Sequence, residues 1–156
     1  MTSLLAQRGP DHDRRILVVD ADHRVRDSFA GLIALVDGVE VVGTTGQPPE
    51  AMAALRRNHP DVVVIDPRLP ELEVGLALVG AMHRARPNVR VLVLGWSGDH
   101  EQLAMDAGAD GFICKSADPV AVVEAVLAVA LAAAPAPAPQ AHPTAHPAPR
   151  PEVVRS

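Results

Sequence analysis

Aromatic rings are scarce in this chain: it has no tyrosine, two phenylalanines and a single tryptophan. A surface that reads nucleic acid by stacking bases on flat side chains is therefore poorly supplied. Cysteine occurs once, as Cys114. That excludes an internal disulfide and a cysteine-based metal cluster and points to a reducing compartment, the cytoplasm by default. Basic residues are outnumbered, with 14 Lys and Arg against 19 Asp and Glu and a formal net charge of -5. Without a dense Lys/Arg cluster there is no electrostatic footprint for a phosphate backbone, so direct nucleic-acid binding is not expected. Long apolar runs are also missing. The longest candidate, Ala125 to Ala134, falls short of the ~18 residues that suggest a membrane-spanning helix. Met1 to Pro10 lacks the long apolar stretch of a signal peptide.

What remains is a chain of 156 residues, 48% apolar, enough for one domain with an aliphatic core. From Arg15 onward, short β-branched runs alternate with segments of helical period, the mark of βα units around a parallel sheet. The runs are Ile16 to Val19, Val39 to Val42, Val62 to Ile65, Val89 to Leu94 and Gly111 to Cys114. Their continuous apolar character suits strands covered on both faces. Between them the pattern predicts helices over Val25–Val36, Pro49–Asn58, Glu73–Ala85, Asp99–Ala107 and Pro119–Ala134. Asp118-Pro119 gives the last an N-cap followed by proline where its missing N–H costs nothing. Gly108, Pro60 and Pro87 act as stops. The reading divides the chain into a flexible start (1–14), one domain (15–134) and a disordered tail (135–156) holding seven of the fifteen prolines. His142 and His146 sit in that tail, where the prolines forbid the helix that would pair them as metal ligands.

In an open parallel sheet, ligands bind beyond the carboxyl ends of the strands. Strand one ends in Asp20, with Asp22 two residues on; strand three ends in Asp66; strand five is followed by Lys115. Carboxylates converging with an ammonium make a site for a hard, oxygen-preferring divalent cation, Mg²⁺ being the natural one. A carboxylate held there can act as a nucleophile toward a phosphoryl group, because metal and ammonium neutralise charge on the transferred oxygens. For a single Asp, turn-capping is an adequate explanation; two strand-end Asp together with Lys115 favour a site.

The segments Ile16-Leu17-Val18-Val19-Asp20, Asp61 to Pro70 and Ala107 to Lys115 resemble the response-regulator receiver family over about Arg15 to Ala134. The resemblance implies a flavodoxin-like, doubly wound five-stranded parallel sheet of order 2-1-3-4-5 with five helices. It also implies phosphorylation at Asp66 by a histidine kinase or phosphotransfer protein. Mg²⁺ would be held by Asp20, Asp66 and the Arg68 backbone carbonyl, with Asp22 a further candidate, and Lys115 would pair with the phosphoryl oxygens. Phe112 resembles the family's aromatic switch residue. No enzymatic turnover is implied beyond self-phosphorylation and autodephosphorylation at Asp66.

The sequence departs from the family pattern around that pocket. The second acidic position after strand one is Ala21. Gly95 stands where the family places a hydroxyl, with Ser97 two residues on as a substitute candidate. Trp96 replaces a small residue and is placed to cover the pocket, and Pro67 has no N–H to donate. Two readings follow: a phospho-acceptor receiver, or a pseudo-receiver acting as a phosphorylation-independent interaction module. A flavodoxin-like cofactor-binding domain is a third, weakened by the absence of a phosphate-cradling loop, since Gly43 to Gly46 leads into Pro48-Pro49 and reads as a turn. Cys114 reads as a buried core thiol; His12, His23, His59, His83 and His100 read as surface. The apolar excess of the last helix suggests a homodimer or partner surface. With no helical output segment following it, the module is expected to stand alone and act through a separate output protein.

Overall fold

The computed structural model describes residues 13–115 and 118–132. Residues 1–12, 116–117 and 133–156, and with them His12, His142, His146 and the expected end of the last helix at Ala134, lie outside the described residues. Strands β1 (Arg14–Val19), β2 (Val39–Thr45), β3 (Val62–Ile65), β4 (Arg90–Gly95) and β5 (Gly111–Cys114) alternate with helices α1 (His23–Ile33), α2 (Pro48–Asn58), α3 (Leu72–Ala85), α4 (Glu101–Asp106) and α5 (Pro119–Leu131). The strands form one parallel sheet in the order β2-β1-β3-β4-β5, the expected flavodoxin-like architecture.

Alternation along the strands divides the core in two. Leu17, Val19, Val63, Ile65, Val91 and Val93 face one way and pack with Leu55, Val79, Met82 and Ala104, the apolar sides of α2, α3 and α4. Ile16, Val18, Val62, Val64, Leu92 and Leu94 face the other way, against Phe29 and Ile33 of α1 and Val122 and Val126 of α5. All four residues of β3 are at most 1% exposed, which is why that strand shows no polar alternation. Burying each such side chain stabilises the fold by about 1.5–3 kcal/mol. Among the described residues, no helix is long and apolar enough to cross a membrane.

The differences from the sequence reading have local causes. Gly43 to Thr45, expected as a turn, extend β2, because β1 keeps pairing through Val19 and the Asp20 amide donates to the Thr45 carbonyl at 3.0 Å. The helix expected over Asp99–Ala107 splits into a 3₁₀ turn at Gly98–His100 and a short α4, with Ser97 Oγ capping the turn. Helix α5 spends its apolar residues largely on the core: Val122, Val123, Val126 and Ala130 are buried, while Val120 is exposed. Cys114 is half-buried rather than sealed in the core, its Sγ 3.7 Å from the Trp96 carbonyl. Two of the histidines expected at the surface have partners, and His83 is in fact partly buried, with its Nε2 out of contact with solvent. His59 contacts the Arg86 guanidinium. His83 Nε2 lies 3.2 Å from Asp110 Oδ2, a close polar contact without the alignment of a directed hydrogen bond.

One packing constraint reaches the functional edge. A β-carbon added at Gly75, in the first turns of α3, would stand 1.6 Å from the Pro67 carbonyl oxygen, so the helix and the loop after β3 touch backbone to backbone. Helix propensity alone favours alanine over glycine by about 1 kcal/mol. Gly75→Ala is nevertheless expected to destabilise the domain by about 1–3 kcal/mol, read as a lower urea midpoint at unchanged slope. A gain in stability would show that the loop gives way freely.

Candidate functional site

The strand ladder does not stop at the strand ends. The Asp66 amide donates to the Val19 carbonyl at 2.9 Å and the Lys115 amide to the Gly95 carbonyl at 2.7 Å, continuing the pairing by one residue. These bonds, with that of the Asp20 amide, fix the backbone of three polar residues along the carboxyl edge of the sheet. Their side chains converge. Lys115 Nζ donates to Asp20 Oδ2 at 2.5 Å and to Asp66 Oδ2 at 2.6 Å. All three side chains are nearly sealed, at 8, 6 and 7% exposure for Lys115, Asp20 and Asp66. Buried charges persist only when paired and hydrogen-bonded, and here each carboxylate has a further partner. Asp20 Oδ1 accepts the Asp22 amide and Asp66 Oδ1 accepts the Arg68 amide, both at 2.9 Å.

These groups floor a cavity of about 490 Å³ lined also by Ala21, Asp22, Val25, Pro70 and Trp96. Arg68 comes to it through its amide and its guanidinium, whose Nε is 3.7 Å from Asp66 Oδ1. The Trp96 ring lies over both cations, its centroid 5.3 Å from Lys115 Nζ and 5.8 Å from Arg68 Cζ. Such contacts contribute about 0.5–1 kcal/mol each at exposed positions, enough to favour this placement of a half-exposed indole. Asp22 lines the cavity, but its carboxylate caps α1 by accepting the Arg24 amide at 2.9 Å. Ser97 is not among the lining residues; its hydroxyl accepts the Asp99 amide at 3.2 Å.

At the end of β4 a β-carbon on residue 95 would meet the Phe112 ring at 2.7 and 2.8 Å. The Phe112 ring therefore occupies the space that a hydroxyl-bearing side chain at position 95 would need, and Gly95 is what admits it. Two contributors went unseen in the sequence. Arg26 Nη1 donates to the carbonyls of Asp20 and Ala21 at 2.5 and 3.3 Å, pinning the loop after β1. It is accommodated by Gly46, where a β-carbon would lie 2.5 Å from that nitrogen. Thr45, buried at the end of β2, donates from Oγ1 to Glu50 Oε2 at 3.0 Å and closes the neighbouring edge. An isolated glycine just past a strand was the one available signal for the first pair.

The model of the response regulator receiver domain matches residues 16–127. The oxygen regulatory protein NreC of Staphylococcus carnosus is 30% identical over 114 residues, covering 72% of this chain and 52% of the relative. The DNA-binding transcriptional activator DevR/DosR of Mycobacterium tuberculosis is 32% identical over the same coverage. This chain thus spans about half the length of these curated relatives. Among solved structures, a LuxR-family two-component response regulator from Aurantimonas sp. SI85-9A1 superposes with a TM-score of 0.68 at 31% identity, covering 74% of this chain and 83% of that one. A CheY-like receiver domain protein from Methanospirillum hungatei JF-1 gives 0.64 at 27%, covering 73 and 90%.

Receiver domains typically bind Mg²⁺ at this acidic pocket. The residues present here do not fit that ion well. Ala21 supplies no carboxylate, one oxygen of Asp22 is engaged as a cap, and all four oxygens of Asp20 and Asp66 already meet protein donors. Among the described residues no group of three or more His, Cys, Asp or Glu is disposed to hold a metal.

The Gly95–Phe112 contact can be tested by a double-mutant cycle. In a strand interior, glycine to alanine ordinarily gains about 0.5–1 kcal/mol. Gly95→Ala is expected to lose about 1 kcal/mol by overpacking against the ring and to gain stability in a Phe112→Ala background. Equal effects in both backgrounds would place the ring elsewhere.

Proposed function

This chain belongs to the response regulator receiver domain family, and on that premise we propose that it takes its input as a phosphoryl group on Asp66, delivered by a histidine kinase or phosphotransfer protein of a two-component pathway. The observation that carries the reading is the Lys115 ammonium bonded at once to Asp20 and Asp66 on the carboxyl edge of the sheet. In the proposed step an Asp66 carboxylate oxygen attacks the phosphorus of a phosphohistidine. The O–P bond forms as the P–N bond breaks, and the imidazole keeps the electron pair and takes up a proton from water. Lys115, already within hydrogen-bonding reach of Asp66, supplies positive charge to the phosphoryl oxygens, and the Arg68 guanidinium adds to it from the cavity wall. The domain is a signalling module and not a turnover enzyme.

A second reading is favoured by a specific observation. With Gly95 offering no hydroxyl and Phe112 filling the space beside it, the hydroxyl-to-aromatic relay of the family has no first member here. A module whose partner binding ignores phosphate, the pseudo-receiver, fits that feature. Partner binding that is the same for the parent and for Asp66→Asn would select it.

Labelling decides the primary reading. The protein is incubated with acetyl phosphate and, separately, with a phosphorylated phosphotransfer protein, each with Mg²⁺ and with chelator in parallel. The expected result is one phosphoryl group by intact mass, cleaved by hydroxylamine as an acyl phosphate is, and absent from Asp66→Asn. A folded protein that no donor labels contradicts the proposal.

A further inference from the structure

We propose that Lys115 is the resident counter-cation of this pocket and that Asp20 and Asp66 bind Mg²⁺ and similar divalent cations only feebly. This charge balance stands on the geometry and does not depend on Asp66 being the phosphoryl acceptor. Three observations carry it.

The first is position. The ammonium bonds Oδ2 of both carboxylates, at 2.5 and 2.6 Å, so it stands where a cation bridging the pair would stand. A divalent ion entering there meets a positive charge that is itself almost wholly buried and has no solvated position to retreat to without breaking two charge-assisted hydrogen bonds. The second is the donor set. Mg²⁺ demands near-ideal octahedral oxygen coordination and dehydrates reluctantly, so it is held where carboxylates are free to turn toward it. Here the remaining oxygens, Asp20 Oδ1 and Asp66 Oδ1, are oriented by the amides of Asp22 and Arg68. The carboxylate that would complete the set is missing at Ala21, and the nearby Asp22 commits its Oδ1 to the Arg24 amide as the cap of α1. The third is the surrounding charge. The Arg68 guanidinium lies 3.7 Å from Asp66 Oδ1, and the Trp96 ring rests over Lys115 and Arg68 together. A second positive group and a ring favouring cations at those two points hold both against the acidic pair. The pocket is thus neutralised from within.

The test is cation binding in the full chain with no phosphoryl donor present, so its outcome stands whichever way Asp66 labelling falls. Protein stripped with chelator and exchanged into cation-free buffer is titrated with MgCl₂ and with MnCl₂ at constant ionic strength. Binding is read by calorimetry and by fluorescence of Trp96, the only tryptophan. The parent is expected to give no saturable signal into the tens of millimolar. Ala21→Asp, checked for folding by circular dichroism, is expected to bind both ions at least about tenfold more tightly, the scale on which even outer-sphere partners change metal affinity. Low-millimolar saturation of the parent that Asp20→Asn abolishes would overturn the proposal. So would a folded Ala21→Asp that binds no better than the parent. If Ala21→Asp does not fold, the parent and Asp20→Asn titrations decide it alone.

Discussion

One ammonium group sets the terms for the functional edge of this molecule. Lys115 reaches from the end of β5 across the sheet's carboxyl edge to the residues that follow β1 and β3, and binds both. Without it, two nearly sealed carboxylates would face each other with amide donors as their main partners. An arrangement of that kind is expensive in a low-dielectric site, because leaving a buried charge uncompensated costs far more than a surface pair gains. The sheet order makes the arrangement available. β1 and β3 are adjacent and central, so their first loop residues are neighbours, and β4 carries β5 to a distance that a lysine side chain can span.

The rest of the pocket is arranged around that charge. Arg68 and Trp96 form an upper layer in which two cations share one ring. Below, Arg26 ties down the carbonyls of Asp20 and Ala21. The loop after β3 is braced by backbone contact with α3 at Gly75, which holds Asp66 and Arg68 in register. On the β4 side, Gly95 admits the Phe112 ring and offers no hydroxyl to the cavity. The result is an acidic pair bridged by one lysine, with no carboxylate at Ala21 and no hydroxyl at Gly95 beside it. On that combination rest the proposals that Asp66 accepts a phosphoryl group and that the pocket holds divalent cations only feebly.

Much of this was legible in the sequence because it depends on period and position. Apolar runs mark the five strands, and a polar residue at the end of a parallel strand lies at the carboxyl edge, which is where Asp20, Asp66 and Lys115 fall. The unseen parts depend on which distant side chain fills a particular space. Gly95 could be read as a missing hydroxyl, but not as the room that Phe112 takes. Trp96 could be read as a cover, but not as a ring held by two cations. The β2 extension through Thr45 escaped notice because Gly43 and Gly46 carry strong turn signals that pairing with β1 overrides. The partners of His59 and His83 lie on other elements, in Arg86 and Asp110, where spacing along the chain gives no hint.

The central claim is that Lys115 compensates Asp20 and Asp66, and urea unfolding of Lys115→Met at neutral pH tests it most directly. Truncating one member of a buried charge set while leaving the others costs about 3–5 kcal/mol. The account predicts a loss on that scale for the single variant and recovery of a large part of it when Asp66→Asn is added, since one of the stranded carboxylates is then gone. A Lys115→Met protein as stable as the parent, or a double variant no more stable than the single one, would contradict it.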